Sequence, residues 1–407
     1  MVREATVKPP ASPPEGAHVA PETGRPAVKD SGRPLREVAL FFLRLGLTAF
    51  GGPAAHIAMM EEEVVRRRAW LTREEFLDLL GAANLIPGPS STEMAIFIGY
   101  RRAGWAGLIL GGTCFILPAA LIVVACAWAY VRFGSLPQVA SVLYGVKPVV
   151  IAVILQALLG LGRTAVKNWT LGAIALGAAA ASFAGVNPLA ILAAAGVLAI
   201  IARTAPGGAL GGFGAAFSGI GTVAAPVAAV VSPVSLSGLF AVFLKVGAVL
   251  FGSGYVLLAF LRSDLVDHRH WLTESQLLDA VAIGQVTPGP VFTTATFIGY
   301  LLRGGTGALV ATVGIFLPSF ILVALSGPLV PRLRRSRAAG AFLDGVNVAS
   351  LALMATVTWY LGRSALTDVV TVLLACASAF LLLRFRPNSV WLVLAGALVG
   401  VGRWWMR

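Results

Sequence analysis

The chain has 407 residues, of which 57% are hydrophobic and 12% are charged. Soluble domains have roughly a quarter of their residues charged, so this composition excludes an ordinary soluble protein. Uncharged runs such as residues 103–130 are long enough to cross a bilayer as a helix, and the short alternating segments of a β-barrel are not seen. The predicted fold class is therefore an all-α polytopic membrane protein.

The formal net charge of +13 comes mainly from arginines in short connections between apolar runs. Such residues set the orientation of membrane helices, so we expect no nucleic-acid partner. Cys114, Cys126 and Cys376 lie in apolar stretches without metal-ligand spacing, and we expect neither a metal site nor a cofactor. The sequence has no phosphate-binding loop and no other enzyme signature, so the chain is predicted not to be an enzyme.

The first 34 residues are polar and rich in proline. They lack the apolar core of a signal peptide and have too few hydrophobic residues to fold alone. Residues 1–34 are therefore predicted to form a disordered cytoplasmic tail.

The rest of the chain is an internal repeat with a shift of about 200 residues. One match pairs Phe97-Ile98-Gly99-Tyr100 with Phe297-Ile298-Gly299-Tyr300. The repeat predicts two homologous transport domains, which we name copy 1 (residues 35–204) and copy 2 (residues 236–407). Residues 205–235 are rich in Gly, Ala and Pro, and they are predicted to form either a linker or one weak extra span.

A Pro-Gly-Pro motif interrupts an apolar segment in each copy: Pro87-Gly88-Pro89, named gap 1, and Pro288-Gly289-Pro290, named gap 2. Proline breaks a helix interior but is well tolerated at the first position of a new helix. The two half-helices around each gap could cross the membrane together or fold back as a re-entrant hairpin. Broken helices at matching places in two repeats indicate the substrate site of a transporter.

A capping-box pattern marks the start of the helix before each gap. Thr72 is followed three residues later by Glu75, and Thr273 by Gln276. The threonine hydroxyl and the side chain three residues on can each bond the other residue's amide, which predicts helix starts at both threonines.

Loop charges predict that the two copies face opposite ways. In copy 1 the basic loops are residues 101–102 and 163–167, whereas in copy 2 the alternate loops, 332–337 and 384–386, are basic. Because Lys/Arg-rich loops stay in the cytoplasm, the pattern predicts an inverted repeat with a cytoplasmic N-terminus.

The free amides at a half-helix N-terminus favour an anion. Two such ends at a shared point suit a small tetrahedral oxyanion, although each Pro-Gly-Pro could also serve only as a kink. The candidate substrate-binding residues of copy 1 are Arg44, Gly51, Gly52, Asn84, Pro87, Gly88, Pro89, Ser90, Ser91 and Thr92. Those of copy 2 are Lys245, Gly252, Ser253, Gln285, Pro288, Gly289, Pro290, Thr293 and Thr294.

Three charged side chains inside apolar segments are further candidates. Arg44 and Lys245 match in the repeat and could neutralise a dianion or extend to the membrane interface. Glu93, which has Thr293 at its place in copy 2, is a candidate for coupling, as a proton carrier or as a partner of Arg44. His56 is replaced by Leu257 in copy 2 and is interpreted as a packing residue.

These motifs together resemble the CHR family of chromate ion transporters in its long-chain, two-domain form. The resemblance rests on Phe50-Gly51-Gly52-Pro53, Trp70-Leu71, Pro87-Gly88-Pro89, Phe97-Ile98-Gly99-Tyr100 and Pro288-Gly289-Pro290. In copy 2, Ser253-Gly254 replaces Gly52-Pro53 and departs from a strict equivalence of the two sites. The resemblance implies a bacterial inner-membrane carrier that exports chromate and confers chromate resistance, with sulfate as a competitor.

We therefore predict a secondary transporter that exports chromate by alternating access of two inverted domains. One alternative is a carrier of sulfate or another tetrahedral oxyanion, and another is a non-transporting membrane sensor or scaffold. A membrane-bound reductase would need a flavin, haem or thiol site that the sequence does not display. The expected partners are chromate and the lipid bilayer, and a homodimer is one arrangement that the sequence allows.

Overall fold

The structure is a computed structural model that describes residues 34–50, 52–134, 136–204, 234–251, 256–385 and 387–406. The tail before Pro34 and most of the connection predicted at 205–235 lie outside these ranges. Residues from Pro34 onward belong to one compact unit. All regular structure in the described ranges is helical, which confirms the predicted fold class.

Both copies place their helices in the same order. The described helices of copy 1 are α1 (Pro34–Thr48), α2 (Gly52–Glu61, continued by a π-helical turn at Glu62–Arg67), α3 (Arg73–Ala83), α4 (Ser90–Phe133), α5 (Pro137–Ala165), α6 (Trp169–Phe183) and α7 (Pro188–Thr204). Those of copy 2 are α8 (Leu236–Val249), α9 (Leu257–Leu261, continued by a π-helical turn at Arg262–His268), α10 (Glu274–Val286), α11 (Thr294–Arg335, after a 3-10 turn at Val291–Thr293), α12 (Arg337–Ala365), α13 (Val369–Phe385) and α14 (Ser389–Trp405).

Both predicted capping boxes are present. The Glu75 amide donates to Thr72 Oγ1 at 3.2 Å, and the Thr72 amide donates to Glu75 Oε2 at 2.8 Å. Thr273 and Gln276 form the same reciprocal pair at the start of α10. Two of the orphan amides at each helix start are thereby satisfied, which explains why α3 and α10 begin where the sequence predicts.

Helix α4 reverses direction soon after gap 1. The backbone leaves helical geometry at Ala103 and Gly104, where Gly104 has φ 62°. The part before this reversal packs antiparallel to the part after it, since a Cβ on Gly99 would collide with the Gly107 carbonyl. Arg101, at the end of the first part, lies 3.3 Å from Glu75 at the start of α3. Gap 1 therefore lies at the tip of a fold-back hairpin whose two outer ends share one side, as in a re-entrant segment.

Helix α11 has the same reversal after gap 2. Its non-helical residues are Arg303 and Gly304, and Gly304 has φ 64°. A Cβ on Gly299 would collide with the Gly307 carbonyl, as at the matching pair in α4. Glycine at the reversal provides the left-handed conformation that other residues rarely adopt.

Four helices of the described ranges are long and apolar enough to cross a membrane: Ser90–Phe133, Pro137–Ala165, Val291–Ser326 and Arg337–Ala365. They are the equivalents α4 and α11, and α5 and α12. Together with the shorter apolar helices they establish a multi-pass membrane protein.

The two copies are intertwined. Within a copy, α1 packs on α4 and α8 packs on α11. Between copies, α5 packs against α13 and α14, while α12 packs against α6 and α7. The central contacts join α4 to α11 and α5 to α12. The domain boundaries 35–204 and 236–407 stay predictions, since each copy contributes helices to the other's packing.

The equivalent helices α5 and α12 run antiparallel. Lys167, just after the end of α5, lies 2.7 Å from Asp344 near the start of α12. At the other end, the Tyr144 hydroxyl near the start of α5 donates to Asp368, just after α12, at 2.7 Å. Equivalent elements of opposite direction mean that the copies form an inverted repeat, with a pseudo-two-fold axis across the helices.

The Asp368 contact carries a persistent negative charge. The Thr371 backbone N–H, followed by the Tyr144 hydroxyl, holds the pKa of the Asp368 carboxyl well below its usual range, and Arg403 adds to this effect. The ionised Asp368 carboxyl therefore stabilises the folded protein at neutral pH, and this stabilisation is lost only in strong acid.

The contact between α5 and α14 predicts a contrast between two glycines of α14. A Cβ on Gly396 would lie 2.5 Å from the Gly145 carbonyl oxygen, whereas one on Gly402 meets nothing within 4 Å. Gly396→Ala should therefore destabilise the protein by about 1–3 kcal/mol through overpacking. Gly402→Ala should be neutral or slightly stabilising, because alanine favours the helix. Thermal unfolding of both variants in detergent checks this, and equal melting temperatures would contradict the close packing.

Candidate oxyanion site

Each gap is held by a main-chain hydrogen bond to the other copy. The Gly88 N–H donates to the Leu250 carbonyl at 2.7 Å, and the Gly289 N–H donates to the Ala49 carbonyl at 2.9 Å. Ala49 directly follows α1 in the connection to α2, and Leu250 directly follows α8 in the connection to α9. The two gaps thus lie at the interface of the copies and obey its pseudo-two-fold symmetry.

Glycine is required at both gaps for conformation and for space. Gly88 has φ 143° and Gly289 has φ 92°, both in the region that side chains rarely adopt. A Cβ on Gly88 would collide with Glu93 Oε1 and lie 2.7 Å from Ser319 Oγ. A Cβ on Gly289 would collide with the Cβ of Ala119, which is the copy 1 equivalent of Ser319.

A cavity of about 1020 Å³ between the copies exposes gap 1. Gly88 and Ser90 of gap 1 line it, together with Asn84 from the end of α3 and Pro53 and Ala54 from the start of α2. Copy 2 contributes residues of α12, among them Asp344, Asn347, Ser350, Leu351 and Met354. At gap 2, by contrast, residues 287–299 are buried without interruption. The structure therefore presents one gap to an open cavity and closes the other.

Basic side chains stand at the rim of this cavity. Arg163 and Lys167 both line it, and Lys167 pairs with Asp344. Arg163 is exposed and makes no ion pair with any of the described residues. An unpaired cation at the mouth raises the local concentration of anions.

Polar groups without partners collect beneath gap 1. Thr92 Oγ1, both carboxyl oxygens of Glu93 and Ser319 Oγ have no hydrogen-bond partner among the described residues, although all three residues are fully buried. Buried polar groups without a partner are costly and rare in native proteins. They are typical of a site that completes its hydrogen bonds with a ligand.

The equivalent hydroxyls at gap 2 are already bonded. Thr293 Oγ1 donates to the Pro290 carbonyl at 2.8 Å, and Thr294 Oγ1 donates to the Val291 carbonyl at 2.8 Å. Both side chains are buried. Gap 2 thus shares the backbone geometry of gap 1 but, among the described residues, lacks its unpartnered hydroxyls.

The amides at the start of α4 complete the arrangement. Thr92 and Glu93 donate their N–H groups to the Pro89 carbonyl, at 2.8 and 3.0 Å. The Ser90 and Ser91 amides make no such main-chain bond in the described ranges. These two N–H groups, at the positive end of the helix dipole, are the ones that could hold an anion.

His56 packs in the interior, as interpreted from the sequence, and it also makes a polar contact there. It is fully buried, and its Nε2 lies 3.2 Å from the Ala49 carbonyl that also receives the Gly289 N–H. Its ring meets Phe115 edge-on at 5.5 Å. His56 therefore supports the contact that holds gap 2. In the sequence, the signal for this contact is a histidine inside an apolar segment. The leucine at the equivalent place of copy 2 favours a packing role instead.

Several predicted residues lie away from the cavity. Arg44 is exposed on α1, and Lys245 forms an ion pair with Asp264 at 2.6 Å; neither lines the cavity. Glu93 is fully buried, so no ion pair joins it to Arg44 in the described residues. Gln285, the counterpart of Asn84, is half-buried and does not line the cavity.

Three predicted positions, Gly51, Gly252 and Ser253, lie outside the described residues. Gly52 opens α2 with φ 78°, a left-handed conformation that glycine adopts readily. The remaining candidate residues lie around the two gaps: Pro87, Pro89, Ser90, Ser91 and Thr92 around gap 1, and Pro288, Pro290, Thr293 and Thr294 around gap 2.

A polar cluster closes the interface on the side opposite the cavity. Lys147 lies 3.0 Å from Asp279 and donates to Ser275 at 2.8 Å. The Tyr130 hydroxyl donates to the same Asp279 at 2.9 Å. The copy 2 equivalent of Lys147 is Asn347, which lines the open cavity. The pseudo-two-fold axis thus relates a closed half of the interface to an open one.

Comparison with known proteins gives matches over both copies. A family model described as "Chromate transporter" matches residues 36–200 and again residues 237–401. The chain is 36% identical over 382 residues to a "Chromate transport protein" of Cupriavidus metallidurans, covering 90% of this chain and 92% of that protein. It is 32% identical over 375 residues to a "Chromate transport protein" of Pseudomonas aeruginosa, covering 88% and 90%. No solved structure matches.

The geometry of gap 1 predicts that Gly88→Ala strongly reduces transport. Its strained φ and the collision with Glu93 would displace the start of α4, at a cost of about 1–3 kcal/mol. The rate of anion transport in this variant should fall about tenfold or more. Gly160→Ala is the matched control, since Gly160 lines the same cavity and an added Cβ meets nothing within 4 Å. Normal flux in a well-expressed Gly88→Ala protein would contradict the assignment of gap 1.

Proposed function

Since the chain belongs to the chromate transporter family, we propose that it is a secondary carrier that exports chromate across the bacterial inner membrane. Chromate is a tetrahedral dianion, so a carrier must replace its hydration with hydrogen-bond donors and must move two charges across the membrane. The residues around the gaps bear on both the replacement of hydration and the movement of charge.

The observation that carries the proposal is that the floor of the cavity is the start of α4. Gly88 and Ser90 line the cavity, and the Ser90 and Ser91 amides have no main-chain acceptor in the described ranges. A helix N-terminus with free amides binds oxyanions through directed N–H groups and the helix dipole. A cavity of about 1020 Å³ has ample room for a small oxyanion and its water.

The cavity faces the cytoplasm in this proposal. Its rim contains Arg163 and Lys167, which belong to the basic loop that ends α5. Lys/Arg-rich loops lie preferentially on the cytoplasmic side. An anion from the cytoplasm would meet Arg163 first and gap 1 next.

The membrane potential favours movement of the dianion outward. The cytoplasm is electrically negative, and two elementary charges across 100 mV correspond to about 4.6 kcal/mol. The membrane potential alone therefore drives export, until the chromate concentration outside becomes much higher than that in the cytoplasm.

Alternating access would follow from the inverted repeat. In the opposite state, the cavity between gap 1 and α12 would close, and the equivalent space beside gap 2 would open. The bonds of Asp279 to Lys147 and Tyr130 hold that space closed. Their separation, and a new contact at the present cavity, would exchange the open and closed halves.

Glu93 is the candidate for proton coupling. It sits directly under Gly88, fully buried and without a partner among the described residues. An ionised carboxylate there would repel the anion, whereas the protonated group could donate a hydrogen bond to it. Binding of the anion would thus favour uptake of a proton at Glu93, and the two would travel together with a net charge of −1, for which a potential of 100 mV provides about 2.3 kcal/mol.

The same geometry suits sulfate or another tetrahedral oxyanion. Amides and hydroxyls recognise the number and direction of the oxygens, which chromate and sulfate share. Sulfate is therefore expected to compete for the site, and competition assays establish which anion the carrier prefers.

Everted membrane vesicles test the proposed export. Their cytoplasmic face is outside, so export appears as uptake of chromate that needs an energised membrane and no ATP. Arg163→Gln should raise the KM about threefold and reduce its dependence on salt, because a cation at the rim accelerates association. Initial uptake rates over a range of chromate concentrations measure both effects.

Arg363→Gln is the control for that experiment, since Arg363 is the copy 2 equivalent and does not line the cavity. Its KM should match that of the wild type. Absence of both chromate and sulfate uptake by well-expressed wild-type protein would overturn the proposed function. Equal KM values for the two variants would overturn the proposed direction of entry.

Proton coupling predicts a specific loss in Glu93→Gln. The amide cannot exchange a proton, so an imposed pH gradient should drive chromate flux in the wild type but not in this variant. Flux driven by membrane potential should remain. The control is Glu74→Gln, at an exposed glutamate of α3. A Glu93→Gln carrier that still responds to the pH gradient would exclude Glu93 as the coupling group.

A further inference from the structure

We propose that the chain has a single oxyanion site, at gap 1, and that copy 2 completes it with hydroxyl groups from α11 and α12. Gap 2, in this proposal, is a structural counterpart that binds no substrate. The inference rests on the proposed transport of a tetrahedral oxyanion. It replaces two equivalent half-sites with one site built from both copies.

Ser319 is the first of these groups. It is fully buried in α11, and its Oγ would lie 2.7 Å from a Cβ on Gly88, so it touches the gap that lines the cavity. A buried serine in a helix commonly donates to a carbonyl of the preceding turn, as Ser326 of the same helix does to Val323 at 2.7 Å. Ser319 makes no such bond and has no partner among the described residues. Its hydroxyl is available to a ligand at gap 1.

Ser350 is the second group from copy 2. It lines the same cavity from α12, is 2% exposed, and its Oγ also has no partner among the described residues. Thr356, on the same helix, instead donates to the Ala352 carbonyl at 3.1 Å. Ser350 therefore extends the set of available donors along the wall that leads to gap 1.

Thr92 supplies the third hydroxyl, from copy 1 itself. It is fully buried, and its Oγ1 has no partner among the described residues. With the Ser90 and Ser91 amides, the Thr92 and Ser319 hydroxyls make four neutral donors around the start of α4. A tetrahedral anion has four oxygens to satisfy, and buried neutral donors hold it without a fixed cation, so release on the far side is not opposed by a strong ion pair.

The counterparts of this set around gap 2 lack the same capacity. Ala119 stands beneath Gly289 where Ser319 stands beneath Gly88. Val150 occupies the place of Ser350. Thr293 lies three residues after Pro290, as Thr92 lies three residues after Pro89, but it donates its hydroxyl to the Pro290 carbonyl. The backbone of the two gaps is symmetric, but among the described residues the unpartnered hydroxyls are present at gap 1 only.

The test compares matched hydroxyl deletions at the two gaps. Thr92→Val and Ser319→Ala should each raise the KM for chromate uptake into everted vesicles about tenfold or more, because each removes a hydrogen bond to a charged ligand. Thr293→Val should change the KM less than twofold. Ser326→Ala is the control for loss of a buried hydroxyl from α11, and it should leave the KM unchanged.

Binding of radiolabelled sulfate to purified full-length protein gives the stoichiometry. One anion per chain, lost in Ser319→Ala and retained in Thr293→Val, is the expected result. Two anions per chain, an equal KM effect of Thr92→Val and Thr293→Val, or an unchanged KM in Ser319→Ala would each overturn the single composite site. Failure of wild-type vesicles to take up chromate or sulfate would instead overturn the proposed function, so the two failures are distinguishable.

Discussion

The structure depends on one constraint: the backbone of a broken helix must find hydrogen-bond partners within the membrane. An unsatisfied amide in hydrocarbon costs several kcal/mol. Each gap meets this requirement with a carbonyl of the opposite copy, through the Gly88–Leu250 and Gly289–Ala49 bonds. Neither copy can therefore hold its own gap, and the exchange of helices around α5 and α12 follows the same reciprocity.

A symmetric backbone allows the side chains to diverge. The main-chain bonds at the two gaps tolerate any neighbouring side chain that leaves the glycine its space. Position 319 is serine and position 119 alanine; position 93 is glutamate where copy 2 has threonine. Duplication thus provides the two-fold frame that alternating access needs, while the polar chemistry is concentrated on one side of it. The symmetric backbone serves the movement between the two states, and the different side chains serve recognition of the anion.

Much of the frame could be predicted from the sequence, because local chemistry determines it. The prolines mark both gaps, Thr72 and Thr273 mark two helix starts, and the loop arginines predict the inversion. The side chains that line the candidate site could not be predicted in the same way. Ser319 is an ordinary serine in an apolar helix, and only the packing of α11 against α4 brings it under Gly88. Likewise, the exposed face of α1 that bears Arg44 and the pairing of Lys245 with Asp264 are set by tertiary register.

The packing of α6 and α7 has a consequence for how the chain is made. Their main partner is α12, which lies in copy 2 and is synthesised long after them. During translation, copy 1 enters the membrane with these two helices facing lipid or the insertion machinery. Its assembly can be completed only when α12 arrives, so the nascent chain passes through an interval in which chaperones and proteases compete for it. Folding of this transporter is thus completed in one late step, when α12 packs on α6 and α7, and not in two successive domain-folding steps.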